Sequence, residues 1–156
     1  MQILEIRTSR LLLRQWHDID LGQLVEMNAD PKVMEFIGST LKEDQSKAMM
    51  ERARMSWEQR GYGRFAVEVL ASRSVIGFVG LAQTRIDAHF APAVEIGWRI
   101  STNYWGHGYA TEGGTCGERF CPRRSWVVGD RRVYFCEESK IAPRHGEDWT
   151  IEEPPR

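Results

Sequence analysis

The stretch AVEIGWRISTNYWGHGYATEGG, residues 93–114, passes from an apolar segment through a glycine-bearing turn into a helical pattern. Residues 93–100 predict a strand, and Gly106 and Gly108 stand just before the predicted helix. A helix N-terminus presents unpaired backbone N–H groups and the positive end of the helix dipole, and glycine lets an anion approach them without a Cβ in the way. The stretch therefore favours a phosphate-binding turn, although a glycine turn before a helix is also ordinary in proteins without such a site.

Two familiar phosphate-binding loops do not fit this stretch. The P-loop ends in lysine followed by serine or threonine, and the dinucleotide fingerprint needs GxGxxG within a parallel βαβ unit. Here three predicted strands follow one another through short connections, at residues 63–70, 74–87 and 93–100. Such a succession indicates an antiparallel meander.

The residues before the meander predict one more strand and three helices. RLLLRQW, residues 10–16, is a short apolar run typical of a strand, and the helix after it takes Asp18 as its N-cap. Asp30-Pro31 ends that helix, and a short second helix ends at Gly38. The longest helical pattern covers residues 40–60, with an apolar stripe of Met49, Met50, Ala53 and Trp57.

Composition limits the class of protein. The 156 residues suit one domain, with 42% hydrophobic and 28% charged residues. A net charge of −1 argues against a generally basic nucleic-acid surface. No apolar run reaches the roughly 18 residues that a membrane span needs, and no signal peptide opens the chain. We therefore expect a cytoplasmic protein that binds neither nucleic acid nor membrane.

The three cysteines, Cys116, Cys121 and Cys136, all stand late in the chain. Their spacings fit neither a paired CxxC zinc site nor a disulfide framework. A zinc site with His145 as fourth ligand is the minor alternative, and buried or incidental thiols are the favoured interpretation. We expect no metal.

Four segments together resemble the GNAT-family N-acetyltransferases. The closest branch looks like the ribosomal-protein-alanine acetyltransferases, which acetylate protein N-terminal amines. The resemblance covers about residues 8–113 and implies an α/β fold, a mixed but mostly antiparallel sheet flanked by helices. Its segments are TSRLLLRQW (8–16), DPKVMEFIG (30–38), VIGFVGL (75–81) and VEIGWRISTNYWGHGYATEG (94–113).

The resemblance implies a site for acetyl-CoA as cosubstrate. The family's Q/R-x-x-G-x-G/A pyrophosphate pattern falls on residues 105–110, where Trp105 replaces the usual glutamine or arginine. Backbone N–H groups of residues 106–111 are expected to cradle the pyrophosphate, and the end of the predicted fourth strand is expected to run beside the pantetheine arm. The implied binding residues are Trp98, Arg99, Ile100, Trp105, Gly106, His107, Gly108, Tyr109, Ala110 and Thr111.

Acetyl transfer to an amine also needs a group that takes a proton. Glu95, on the predicted fourth strand, is the candidate base, and the alternatives are a carboxylate that faces solvent or one that pairs with Arg99 on the same strand face. Family analogy puts Trp16, Glu35 and Phe36 on the acceptor side, with a core or surface role as the alternative for each.

The resemblance ends at Gly113. Residues 1–113 are therefore predicted to form an incomplete acetyltransferase core, and residues 114–156 a non-matching tail. The tail lacks the family's N-x-x-S-x-x-V-M-E-K-x-G motif, its helical pattern breaks at Pro122, and only SWVVG and RRVYF within it look extended. The C-terminal strands and helix of the family are thus expected to be missing or remodelled.

A shifted reading frame after Gly113 is our hypothesis for this break. Deleting one base at the Gly113–Gly114 junction, with synonymous codons chosen freely, permits a translation that contains EIVAFT and then NRRSRRVMEKIG. Those segments supply a fifth strand and the missing motif in the family's order. The alternative is a divergent tail that packs as replacement strands.

The predicted function is acetyl transfer from acetyl-CoA to a primary amine, with a protein N-terminus as the first choice of acceptor. A small-molecule amine is the alternative within the enzyme class, and a non-catalytic CoA-binding remnant is the alternative outside it. The sequence predicts neither the oligomeric state nor the activity of this chain with its altered tail.

Overall fold

A computed structural model describes residues 5–83, 94–118, 124–128 and 131–136. Seven strands, four α-helices and two short 3-10 turns form within these residues. No helix in these ranges is long and apolar enough to cross a membrane. The elements are β1 (Ile6–Arg7), β2 (Leu11–Arg14), a 3-10 turn (Asp18–Asp20), α1 (Leu21–Ala29), α2 (Pro31–Met34), α3 (Glu43–Arg60), β3 (Arg64–Val69), β4 (Ser74–Gln83), β5 (Val94–Ile100), a 3-10 turn (Thr102–Tyr104), α4 (Tyr109–Glu118), β6 (Arg124–Val128) and β7 (Arg131–Cys136).

The strands form one sheet in the order β1-β2-β3-β4-β5-β7-β6, and every neighbouring pair is antiparallel. The predicted meander is therefore confirmed as β3, β4 and β5. Only the two-residue β1 lacks a counterpart among the predicted strands, because so short a segment carries no periodic pattern.

The predicted helices form where expected, but α3 begins at Glu43 rather than near residue 40, and α2 ends at Met34 rather than at Gly38. Asp30 caps α2 through a hydrogen bond from the backbone N–H of Lys32, and Pro31 takes the first helical position. α3 ends at Gly61, whose φ of 72° is the left-handed conformation that glycine adopts readily. The prediction of Asp18 as N-cap is wrong. Asp18 lies inside the 3-10 turn, and the carboxylate of Asp20 accepts the backbone N–H of His17 instead.

Two apolar layers hold the sheet between the helices. On one face Leu13, Val67 and Val79 are buried beneath Tyr109 and Ala110 of α4. On the other face, side chains from α1, α2 and α3 cover Ala66 and Phe78. The helices thus flank the sheet as the resemblance implied.

A buried charged cluster ties β2 to β3 and to the start of α1. The Arg14 guanidinium donates two hydrogen bonds to Asp20, at 2.8 and 3.0 Å, and its Nε donates to Glu68 Oε2 at 2.7 Å. Burial by itself would raise the pKa of Asp20, but hydrogen bonds from Arg14 and from the backbone of His17 hold it below its usual value. The same pairing raises the pKa of Arg14, so Arg14 and Asp20 stay ionised at neutral pH.

Helix and strand continue beyond Gly113 within the described residues. α4 continues to Glu118, and the two segments that looked extended form β6 and β7. β7 joins the sheet beside β5, in register Val94↔Cys136 and Glu95↔Phe135. The proposed zinc ligands Cys121 and His145 lie outside the described residues.

Candidate acetyl-CoA site

The glycine turn leads from β5 to the N-terminus of α4, as the sequence predicts. Gly106 and Gly108 have φ of 78° and 79°, a left-handed backbone that other residues rarely adopt. The first helical hydrogen bond runs from Glu112 N–H to Gly108 O, at 3.0 Å. Within the described residues, the backbone N–H groups of residues 106–111 have no acceptor. The turn therefore offers a row of donors at the positive end of a helix, which is the arrangement that binds phosphate.

A clamp that the sequence did not predict holds this turn against the β1–β2 hairpin. The Glu112 carboxylate accepts hydrogen bonds from Thr8 Oγ1 at 2.5 Å, from Arg10 N at 3.1 Å and from Arg10 Nε at 2.7 Å. Arg10 Nη1 also donates to the carbonyl oxygen of His107 at 2.9 Å. Burial alone would raise the pKa of Glu112, but these hydrogen bonds lower it, so the carboxylate is ionised at neutral pH.

Aromatic rings complete the outer side of the turn. The guanidinium carbon of Arg10 lies 4.6 Å from the centre of the Tyr109 ring, and the exposed His107 ring stacks on the same ring at 5.7 Å. His107 Nδ1 lies 2.9 Å from the carbonyl oxygen of Trp105. Thr111, on the first turn of α4, is exposed. Its carbonyl oxygen accepts a hydrogen bond from Thr115.

Trp105 takes the position where the family pattern has glutamine or arginine, and its indole fixes the end of β5. Its Nε1 donates to the carbonyl oxygen of Ile100 at 2.7 Å, while nearly half of its side chain stays exposed. Thr102 adds a second tie, since its hydroxyl donates to Asp30 Oδ2 at 2.9 Å. The turn is thus anchored to β5 and to the cap of α2.

In the part of the chain that the structure describes, the outer edge of β5 near this turn has no strand paired with it. β4 pairs with β5 along the whole of residues 94–100, but within the described residues β7 pairs with β5 only at Val94 and Glu95. Residues 96–100 therefore present an edge to which an extended chain can add as a strand does. Of the predicted binding residues on this edge, Trp98 is exposed, Arg99 half-buried and Ile100 buried.

Glu95 lies at the start of β5 and faces a cavity of about 520 Å³ between α3 and the sheet. Its Oε1 is 3.7 Å from Arg64 Nη2, and both side chains are about 30% exposed. Glu95 therefore pairs with Arg64 of β3 and not with Arg99, the predicted alternative. A half-exposed carboxylate beside a cavity is placed to take a proton from a molecule bound there.

The three residues that family analogy puts on the acceptor side do not all line the same cavity. Trp16 is buried and lines the same cavity as Glu95. Glu35 and Phe36 do not line it, and three quarters of Phe36 is exposed in the turn after α2.

The arrangement provides an anion-binding turn, an open strand edge leading away from it, and a carboxylate beside a cavity. Such a set suits a long phosphate-bearing substrate laid along β5 and a second substrate in the cavity. Among the described residues, no group of three or more His, Cys, Asp or Glu side chains is placed to hold a metal ion. The sequence did not predict the Arg10–Glu112 clamp, because its two residues are 102 positions apart.

Comparison with known proteins finds acetyltransferases. The model of the acetyltransferase (GNAT) domain matches residues 10–127, a range that runs past Gly113. A solved acetyltransferase from Agrobacterium tumefaciens str. C58 has a TM-score of 0.70 and 18% identity, over 88% of this chain and 96% of that one. A protein from Bordetella pertussis described as a GNAT-family acetyltransferase gives 0.64 and 18%, over 86% and 98%.

A third solved structure is described as a ribosomal-protein-serine acetyltransferase from Vibrio cholerae. Its TM-score is 0.54 and its identity 19%, over 70% of this chain and 61% of that one. At such identities the solved structures show a shared fold, and the family match covers well over half of the 156 residues. The chain therefore belongs to the acetyltransferase (GNAT) family.

Proposed function

We propose that this chain transfers an acetyl group from acetyl-CoA to a primary amine, with a protein N-terminus as the first choice of acceptor. The observation that carries the proposal is that two features of the site adjoin each other. The donor-rich turn of residues 106–111 stands at the end of the open edge formed by residues 96–100. The first suits a pyrophosphate, and the second suits an extended amide-bearing arm.

In this proposal the residues of the turn hold the pyrophosphate of acetyl-CoA through backbone N–H groups. The residues concerned are Gly106, His107, Gly108, Tyr109, Ala110 and Thr111. Gly106 and Gly108 permit the left-handed backbone and leave no Cβ over the donors. Trp98, Arg99, Ile100 and Trp105 belong to the strand end and its anchor, beside the pantetheine arm.

Glu95 serves as the general base. The uncharged amine nitrogen attacks the thioester carbonyl carbon, the new C–N bond forms, and the C–S bond breaks with release of the thiolate of CoA. The proton lost by the nitrogen passes to the Glu95 carboxylate, directly or through a water molecule. The support for this role is placement, since Glu95 lines the cavity next to β5.

An amine-dependent thiol-release assay with acetyl-CoA tests the proposal. Release that requires both the chain and a peptide with a free N-terminus supports the protein-acceptor form, and release only with small amines favours the small-molecule alternative. Binding of acetyl-CoA with no release for any amine would leave the non-catalytic module as the function.

The shifted reading frame after Gly113 stays a separate prediction, as does the division of the chain there. The hypothesis rests on the second translation alone, while the family match continues to residue 127. The encoding nucleotides around the Gly113–Gly114 junction test it, because codons incompatible with the second translation would exclude it. The cytoplasmic location likewise stays a prediction.

A further inference from the structure

The described side chains that line the cavity beside Glu95 carry more positive than negative charge. Its wall from α3 is half apolar, with Met49, Met50, Ala53 and Met55, and its floor includes Phe78. Among the residues that the structure describes, the charged side chains that line it are Arg52, Arg60, Arg64 and Glu95. These four side chains have three formal positive charges against one negative charge, so the described lining is positive overall.

Arg52 and Arg60 stand at the exposed side of the cavity. Both are exposed residues of α3, eight positions apart, near the middle and at the end of the helix. Arg60 Nη2 donates to Gln83 Oε1 at 3.1 Å, which leaves its charge without a carboxylate partner among the described residues. Such guanidinium groups bind carboxylates with little reorganisation, because their donors are fixed in a planar fork.

Arg99 adds a fourth positive charge behind the cavity floor. Its guanidinium carbon and that of Arg64 each lie 5.1 Å from the centre of the Phe78 ring. Arg99 Nη1 donates to Asn28 Oδ1, while its buried Nε has no hydrogen-bond partner in the described part of the chain. Burial, together with the nearby Arg64, lowers the pKa of Arg99 to about 10, so this arginine is still charged at neutral pH.

We propose that this cavity selects acceptor amines that also carry a carboxylate close to the amine. The inference rests on the proposed function, since it assigns a substrate class to the same site. Glu95 receives the amine, and the arginines receive the carboxylate. Amines with a second positive charge, such as polyamines, are disfavoured because like charges repel in a partly buried site.

Two sources of such an acceptor share this chemistry, an acidic peptide N-terminus and a small acidic amine such as a free acidic amino acid. Calorimetric titration of the full chain with Ala-Asp-Asp-Ala-amide, Ala-Asn-Asn-Ala-amide and Ala-Lys-Lys-Ala-amide measures the preference. We expect the acidic peptide to bind about tenfold more tightly than the asparagine peptide. Glutamate as a further ligand separates the two sources: binding equal to that of the acidic peptide indicates a small amine, and weaker binding indicates a polypeptide.

Two variants test whether the arginines of the cavity cause the preference for the acidic peptide. The double substitution Arg52→Gln and Arg60→Gln changes exposed side chains, so we expect a folded protein whose preference for the acidic over the asparagine peptide is clearly reduced. Arg7→Gln, on the exposed face of β1 at the far edge of the sheet, is the matched control and keeps the preference. Equal binding of the three peptides, tighter binding of the lysine peptide, or an unchanged preference in the double variant would overturn the inference.

Thiol release measured on the same peptides separates this inference from the proposed function. Preferential binding of the acidic peptide without acetyl transfer would overturn the enzymatic function and keep the ligand class. Acetyl transfer with equal kcat/KM for all three peptides would keep the enzymatic function and overturn the ligand class.

Discussion

Glu112 Oε2 lies 2.7 Å from both Nε and Nη2 of Arg10, a residue 102 positions earlier in the chain. Arg10 in turn holds the carbonyl oxygen of His107, inside the glycine turn. The shape of the proposed pyrophosphate site therefore depends on the β1–β2 hairpin.

Glu112→Gln tests this dependence. The neutral amide keeps the size of the side chain but loses the charge that holds Arg10, so we expect about a tenfold loss of affinity for acetyl-CoA. Calorimetric titration measures the affinity, and Glu58→Gln, an exposed change on α3, is the control. Equal affinity of Glu112→Gln and the native chain would show that the clamp does not position the turn.

Asp20→Asn is expected to destabilise the fold by about 3–5 kcal/mol, because it leaves Arg14 buried without one of its two carboxylate partners. The pKa of Asp20 is lowered in the folded state, so its contribution is fully present above the unfolded value of about 3.9 and is lost as pH falls through the folded value. The difference in free energy of unfolding between the native chain and the variant therefore shrinks below about pH 4.

Denaturant unfolding from pH 3 to pH 7 measures that difference. Asp18→Asn is the control, because the Asp18 carboxylate is 92% exposed and its pair with Arg54 contributes little. If the loss of unfolding free energy in Asp20→Asn stayed constant across the pH range, the ionised Asp20 carboxylate would not be what stabilises the fold.

Gly80→Ala is expected to cost about 1–3 kcal/mol of stability. An added Cβ at Gly80 would lie 2.3 Å from the backbone oxygen of Gly63, which cannot move aside as a flexible side chain can. Gly97 is its register partner on β5, and a Cβ there meets nothing within 4 Å. Thermal unfolding of Gly80→Ala beside Gly97→Ala checks the prediction, and similar losses in both variants would refute it.

Glu95→Gln is expected to lower kcat for acetyl transfer about 10²–10⁴-fold while acetyl-CoA binding stays within twofold. The amide preserves the size of the side chain and cannot take the proton. Thiol release and calorimetry on the same preparation measure the two quantities. An unchanged kcat would mean that another group, or solvent, takes the proton.

The elements that carry strong periodic or glycine signals were predictable from the sequence. The meander of β3, β4 and β5 and the turn before α4 follow from alternation, short connections and the spacing of Gly106 and Gly108. The break between α1 and α2 follows from Asp30-Pro31. Each of these signals is local, so nearby residues suffice to recognise it.

The contacts that join distant segments were not predictable. No sequence spacing is characteristic of contacts such as the Arg10–Glu112 clamp or the Arg64–Glu95 pair, because their residues come from distant segments. Sequence spacing offered only Arg99, four residues away, as a partner for Glu95. Asp18 was predicted as a cap because capping residues are recognised by type and position alone. The carboxylate that accepts the His17 N–H is that of Asp20, which is buried and also paired with Arg14.

Calorimetric titration of this chain with acetyl-CoA, beside Gly108→Asp and Gly114→Ala, tests the central claim most directly. The claim predicts saturable one-to-one binding that Gly108→Asp abolishes, because a carboxylate and a Cβ enter a left-handed turn that binds an anion. Gly114→Ala, where a Cβ meets nothing within 4 Å, retains binding. A folded native chain that does not bind acetyl-CoA, or that binds equally with Gly108→Asp, would contradict the claim.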